Sequence, residues 1–163
     1  MDRLNKCALV VCALFGLLTC MSSLVHAGGA LDGVDEVKAI YDVRVKDAKR
    51  FAFFLDVIGK AYDGLFARGV GADVVVAVRG PSIRYLSTET WSYTEEDQRH
   101  LAKAASLLEG LRKRGIKIEA CSIAAGLFKV DHSSYLPGVI PVENTFVSLI
   151  GYQAQGYALV PVN

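Results

Sequence analysis

The hydrophobic and polar positions change period several times along the chain, and each change marks an element. Val37 to Val45 (Val-Lys-Ala-Ile-Tyr-Asp-Val-Arg-Val) is rich in β-branched residues and partly alternates, the pattern of a strand. From Asp47 to Arg68 the period is helical. Lys49, Asp56, Lys60 and Asp63 form one narrow charged stripe, and Phe51, Phe54, Leu55, Ile58, Tyr62 and Leu65 fill the rest of the circumference. So broad an apolar face predicts burial on two sides, by a sheet and, on the second side, by another subunit. Gly69 and Gly71 end this helix.

Ala72 to Val78 is a nearly continuous apolar run, the mark of a central strand covered on both faces of a parallel sheet. Gly80-Pro81 stops it, and the segment Ser82 to Tyr93, with the only tryptophan, Trp91, is irregular. A second helix follows. Thr94 is a good N-cap, Glu95, Glu96 and Asp97 put negative charge in the first turn, and Leu101, Ala104, Ala105, Leu108 and Leu111 make the buried stripe. Arg112-Lys113-Arg114 falls in its last turn, where cations complement the helix dipole, and Gly115 closes it. Ile116 to Ala120 is a third strand that runs into Cys121, Ser122 to Lys129 a short helix, and Val130 to Gly138 a loop. Val139 to Val142 is a brief strand, Asn144 to Gln155 a helix stopped by Gly156, and Tyr157 to Val160 the last strand, ended by Pro161.

The order is β-α-β-α-β-α-β-α-β. Strict alternation predicts an α/β fold: a doubly wound, mostly parallel five-stranded sheet with right-handed crossovers and helices on both faces. In such sheets the functional crevice lies beyond the carboxyl ends of the strands. Cys121 stands at one of those ends.

The first residues follow a different pattern. A short basic start (Arg3, Lys6) precedes an uncharged apolar stretch of 12 residues, Cys7 to Leu18, the size of a signal-peptide core and short for a membrane span. Small residues suited to a signal peptidase follow at Val25-His26-Ala27. The expected organisation is therefore a signal peptide over 1–27, a flexible glycine-rich segment over 28–35, and one domain over 36–163. An exported, periplasmic location follows. Two alternatives keep the same compartment: an uncleaved leader acting as a membrane anchor, and a faint lipoprotein signal at Leu17-Leu18-Thr19-Cys20.

Composition changes meaning once the leader is set aside. Of 163 residues, 52% are hydrophobic, which excludes disorder, and cleavage after Ala27 leaves 136, enough to bury roughly 68% of the unfolded surface in one domain. Asp2, Arg3 and Lys6 leave with the leader, so Lys plus Arg falls from 18 to 16 and Asp plus Glu from 17 to 16. That balance gives no electrostatic support for nucleic-acid binding. Of four cysteines only Cys121 lies outside the leader, so a disulfide framework is excluded.

Dinucleotide chemistry lacks its fingerprint: the first strand is followed by Arg44-Val45-Lys46-Asp47, and Gly69-Val70-Gly71 precedes a strand instead of following one. No G-x-S-x-G elbow or P-loop is present. His100 and His132 have no second histidine at ligand spacing and read as surface residues, so neither a metal nor a cofactor is expected. Cys121 is the candidate. A cysteine between a strand end and the first turn of a helix faces unpaired backbone N–H groups, which favour the thiolate. Its competing role is that of a small buried hydrophobe. A lone thiol has the chemistry of a group carrier, holding a persulfide sulfur, a mixed disulfide or a sulfenic acid. Arg79 and Arg84, flanking Gly80-Pro81 at the same rim, are candidate helpers for a thiolate or oxyanion; the alternative for both is a solvated loop residue.

Around Cys121 the residues Ala120-Cys-Ser-Ile-Ala-Ala-Gly-Leu-Phe-Lys-Val130 resemble the cysteine-containing helix start of the DsrE/DsrF-like sulfur-relay family. Val76-Ala-Val-Arg-Gly-Pro-Ser-Ile-Arg-Tyr-Leu86 resembles its strand and Gly-Pro segment, and Arg114-Gly-Ile-Lys-Ile-Glu-Ala-Cys121 its third strand. Tyr135-Leu-Pro-Gly-Val139, Gln155-Gly-Tyr157 and Pro161 resemble its closing segment, so the likeness runs from Glu36 to Asn163. The resemblance implies a homo- or hetero-oligomer, often a trimer or hexamer, in which the cysteine matching Cys121 carries sulfur as a persulfide between donor and acceptor proteins. Two features depart from the pattern: relay proteins of that family are intracellular, and histidine often stands where this chain has Arg79. The sequence thus carries two functional expectations, an exported sulfur carrier acting through Cys121, and a non-catalytic oligomeric binding or scaffold module in which Cys121 packs.

Overall fold

A computed structural model describes residues 29–163; the expected signal peptide and its cleavage site lie outside the described residues. The chain divides after Gly33. The first unit contributes a short 3₁₀ turn at Gly29–Leu31, and the second, Val34–Asn163, is the α/β domain.

That domain alternates strictly. Strand β1 (Glu36–Val43) leads to helix α1 (Ala48–Phe66), β2 (Gly71–Val78) and a 3₁₀ segment at Gly80–Leu86. Then come α2 (Glu95–Lys113), β3 (Lys117–Cys121), α3 (Ser122–Phe128), β4 (Val139–Val142), α4 (Thr145–Ala154) and β5 (Ala158–Val162). All five strands are parallel, in the order β4-β3-β2-β1-β5. From β1 to β4 the chain steps outward in one direction, and from β4 it returns across the sheet to β5. Right-handed crossovers therefore put α1, α2 and α3 on one face and α4 alone on the other.

The two cores follow that division. The larger joins Phe51, Leu55 and Ile58 of α1, Leu101, Leu108 and Leu111 of α2, and Ala124 and Ala125 of α3 to Val74, Val76, Val78, Ile118 and Ala120 of the strands. The smaller joins Ile40, Val75 and Ala77 to Leu149 of α4 and Tyr157. Val74 to Val78 are all buried, as the continuous apolar run required of a central strand.

Four expectations change at the element ends and faces. The second side of α1 packs on α2 of the same chain: Tyr62 donates to the Arg114 carbonyl at 3.0 Å, and Leu111 and Arg114 close over Gly59. Phe53, Val57 and Phe66 of α1 remain exposed. Strand β1 ends at Val43, because the Val45 N–H turns from the ladder to the Ser82 hydroxyl at 2.7 Å. Pro161 does not end β5: this is an edge strand, where a proline's missing N–H costs no ladder bond, and pairing runs on to Val43 with Val162. The first part of the segment expected to be irregular, Ser82 to Leu86, instead winds with Gly80 and Pro81 into a 3₁₀ helix, Gly80–Leu86, anchored by the buried Ser82, Ile83 and Leu86.

Candidate functional site

The site is set by where the chain changes face. Strands β3 and β4 are neighbours, with Cys121 opposite Val142 at their carboxyl ends. Beyond β3 the chain turns onto one face as α3, and beyond β4 onto the other as α4. The two connections part, and a crevice opens between them, the switch point at which open α/β sheets bind ligands. It holds a cavity of about 340 Å³, lined by Arg79, Gly80, Cys121, Ile123, Ala124, Leu127, Asn144, Thr145 and Phe146.

Cys121 is the last residue of β3 and the N-cap of α3, and its side chain makes no capping bond, which leaves the sulfur free to face the cavity. It is 6% exposed. Two effects compete at the sulfur. Burial, the largest single influence, opposes charge. Against it act the Thr145 hydroxyl, the Thr145 N–H and the N–H groups of Ala124 and Ile123, and together they prevail, so the thiol titrates below its ordinary value. These donors come from both walls of the crevice, Ile123 and Ala124 from α3 and Thr145 from α4.

Arg79 leaves the end of β2 and reaches the same cavity. Its guanidinium makes a bidentate pair with the buried Asp42 of β1, at 2.6 and 2.7 Å, and lies 5.0 Å from the ring centre of Phe146 in α4. That pairing, opposed by burial, raises the Arg79 value, with charge on Cys121 a smaller contribution. Its positive charge is thus paired with Asp42, and its guanidinium lies against Phe146 in the first turn of α4. Arg84 is not brought to Cys121. It lies 5.3 Å from the ring centre of Phe128 and 5.8 Å from that of Tyr85, and it lines a separate cavity beside Trp91 and Tyr93.

Two hydroxyls near the sulfur have no partner. Thr145 is fully buried, and its hydroxyl, though it faces the sulfur, makes no hydrogen bond of good geometry; the Tyr135 hydroxyl is also buried and unpaired. Burial, and then charge on Cys121, push the Tyr135 value up. Sequence reasoning missed Asp42, Thr145 and Tyr135 as site residues. Only Thr145 left a trace, because it begins the helix after β4 at the rim where Cys121 was placed.

The other candidates lie where surface residues belong. His100 sits 3.9 Å from Glu96 on the same helix, and the exposed His132 stacks on Tyr135. The basic triplet is spent locally: Lys113 pairs with Glu109 at 2.7 Å, Arg114 with Asp63 at 3.1 Å, and Arg112 packs over Gly138. Asp47 caps α1, accepting from the Arg50 N–H at 2.7 Å, so a carboxylate occupies the turn where a dinucleotide-binding sheet would hold pyrophosphate. Among the described residues, no three of His, Cys, Asp and Glu come together as a metal-binding group, and no helix is long and apolar enough to cross a membrane.

Known proteins place this arrangement among solved folds. The chain superposes on a protein of unknown function, MTH1491, from Methanobacterium thermoautotrophicum, with a TM-score of 0.61 and 15% identity, covering 77% of this chain and 98% of that one. It also superposes on the ychN protein from E. coli, with a TM-score of 0.55 and 9% identity, over 78% and 98%. The chain has the DsrE-like fold. At these identities the likeness shows the fold alone. No family model matches the sequence. An uncharacterized protein from Aquifex aeolicus is 26% identical over 126 residues, 77% of this chain; the match spans 56% of that relative's length.

Proposed function

We propose that this protein is an exported sulfur carrier that accepts a sulfane sulfur on Cys121 and passes it to an acceptor thiol. The observation that supports this most is the lowered titration of a cysteine lining the switch-point cavity, where hydrogen-bond donors from both walls outweigh the cost of burial. The Cys121 thiolate attacks the outer sulfur of a donor persulfide; a Cys121 Sγ–S bond forms, the donor S–S bond breaks, and the donor leaves as a thiolate that takes up a proton. An acceptor thiolate then attacks the outer sulfur of the Cys121 persulfide, forms the new S–S bond and releases Cys121 as a thiolate. Sulfur moves with no net oxidation, so the cycle needs no redox cofactor.

Apolar side chains surround the cavity: Ile123 and Leu127 from α3 and Phe146 from α4 are all largely exposed. An apolar rim suits a protein donor or acceptor that docks and brings its own cysteine to the crevice. Homo-oligomerisation and export through the leader belong to the same proposal. Intact-mass measurement after incubation with a sulfane-sulfur donor is the test. Wild type is expected to gain the mass of one sulfur and Cys121→Ser none; no gain on wild type, or an equal gain on the variant, overturns the proposal.

A second reading has its own observation. Cys121 packs among Ala120, Ala124 and Ala125 in the larger core, where a thiol also serves as a small apolar side chain. In that case the protein is an oligomeric binding or scaffold module. Slow alkylation of native Cys121 at mildly acidic pH favours this reading, and rapid alkylation removes it.

A further inference from the structure

Thr145 occupies an unusual position for a threonine. It is the first residue of α4, yet it does not cap the helix: Asn144 does, accepting from the Phe146 N–H at 3.0 Å. Its side chain is 0% exposed, it lines the cavity shared with Cys121, and its hydroxyl oxygen has no hydrogen-bond partner. A buried hydroxyl without a partner is a cost that folding alone gives no reason to keep. Valine has the same branched shape without that cost. The hydroxyl therefore calls for a partner that exists only in another state of the site, and the atom across the crevice that changes state is the Cys121 sulfur.

We infer that Thr145 is a positioning residue for the reactive sulfur, its hydroxyl donating a hydrogen bond to Cys121 Sγ when that sulfur is a thiolate. The inference rests on the reading of Cys121 as a nucleophile, and it extends that reading to the opposite face of the sheet. Ile123 and Ala124 follow Cys121 in the chain, so their amides come with any strand-to-helix turn. The Thr145 hydroxyl and N–H come from an element that crosses behind the sheet, and they complete the set of donors only once α4 has docked. Arg79 helps hold them there through its contact with Phe146. The ionisable groups facing Cys121 are Arg79, itself paired with Asp42 of β1, and Tyr135 from the segment before β4. α3 and α4 present backbone amides and the Thr145 side chain.

The test is the pH profile of Cys121 alkylation by a small uncharged alkylating agent, read beside thermal unfolding. Thr145→Val is expected to move the profile to higher pH and to slow alkylation about tenfold at about pH 6, the size of one lost hydrogen bond to a charged group. Its melting temperature is expected to stay level or rise, because an unsatisfied buried hydroxyl has been removed. Thr145→Ser keeps the hydroxyl and is expected to restore the wild-type profile.

A wild-type profile in Thr145→Val overturns the inference. A profile shifted equally in Thr145→Ser and Thr145→Val also overturns it, since packing and not the hydroxyl is then responsible. Should Thr145→Val fold poorly, Thr145→Ala is read in its place: a wild-type profile there rejects the inference, and a shift that Thr145→Ser lacks supports it. The sulfur-gain measurement on the same proteins keeps the two proposals apart. A Cys121 that takes no sulfur but shows the Thr145 effect defeats the carrier reading alone, and a Cys121 that takes sulfur with an unchanged profile in Thr145→Val defeats this inference alone.

Discussion

At Cys121, ionisation links reactivity to stability. The folded state holds the thiolate better than the unfolded chain does, whose thiol titrates near the ordinary 9.0. A group with a depressed folded value contributes stability in full above its unfolded value, and that contribution is lost as pH falls through the folded value. Relative to Cys121→Ser, wild type is therefore expected to gain melting temperature as pH rises from below the lowered folded value to just above the ordinary 9.0. A difference that stays flat across that window shows that the thiolate is not preferred in the fold. The cysteine itself was legible in the sequence, since a strand running straight into Cys-Ser-Ile-Ala-Ala fixes both the strand end and the following amides. Thr145 was not legible as its partner. A threonine at a helix start has many ordinary roles, and only the folded chain shows that Asn144 does the capping and leaves the threonine hydroxyl unpaired. Arg79 and Arg84 looked alike in sequence, five residues apart on one loop. The 3₁₀ winding of Gly80–Leu86 sends them to different cavities.

Helix α4 is the element on which the site depends most. Among the described residues it alone covers its face of the sheet, and its first turn supplies the donors opposite Cys121. The pair between Arg79 and Asp42 ties the ends of β2 and β1 together, and Phe146 of α4 rests against that guanidinium. Arg79→Met strands the buried Asp42 carboxylate, and breaking such a pair costs about 3 kcal/mol or more. Urea unfolding measures it; a loss under about 1 kcal/mol shows that water solvates Asp42 and that the pair does not anchor the helix. Strand and helix periods were readable because burial repeats every second residue in one and every 3.6 in the other. The partner of α1's second side was not. A wide apolar face states only that something covers it, and the short α1–β2–α2 path brings α2 there.

For the whole molecule, the consequence of the strand order is unequal cover. Among the described residues three helices shield one face and a single helix of 10 residues the other. Phe146, Val147 and Ile150 of α4 are 57%, 66% and 68% exposed, and Ile140 on the edge strand β4 is exposed beside them. A patch of that kind suits self-association, in line with the proposed homo-oligomer. Sedimentation is expected to give a multiple of the monomer mass for wild type and a smaller species for Ile150→Glu, with the melting of the domain little changed because the side chain is largely exposed in its own chain. A monomeric wild type, or an Ile150→Glu that still assembles, removes α4 as the contact. Composition could not locate this surface: a 52% apolar chain reports how much is available to bury, not which of it stays outside.

What the sequence determined by itself was local and periodic: five strands alternating with four helices, the parallel central strand, the capped second helix, and a cysteine at a strand end. Each follows from residues near one another in the chain, whose spacing alone decides which face they share. Tertiary structure decided everything that needed residues far apart in sequence. It brought Thr145 to Cys121 across the crevice between β3 and β4, paired Arg79 with Asp42 over a separation of 37 residues, and sent Arg84 elsewhere. A hydrogen bond or ion pair depends on a few ångströms of approach between side chains, and no periodicity encodes that distance; the pairing of β1 with β2 creates it for Arg79 and Asp42, and the turn of the chain after β4 onto the other face creates it for Thr145 and Cys121.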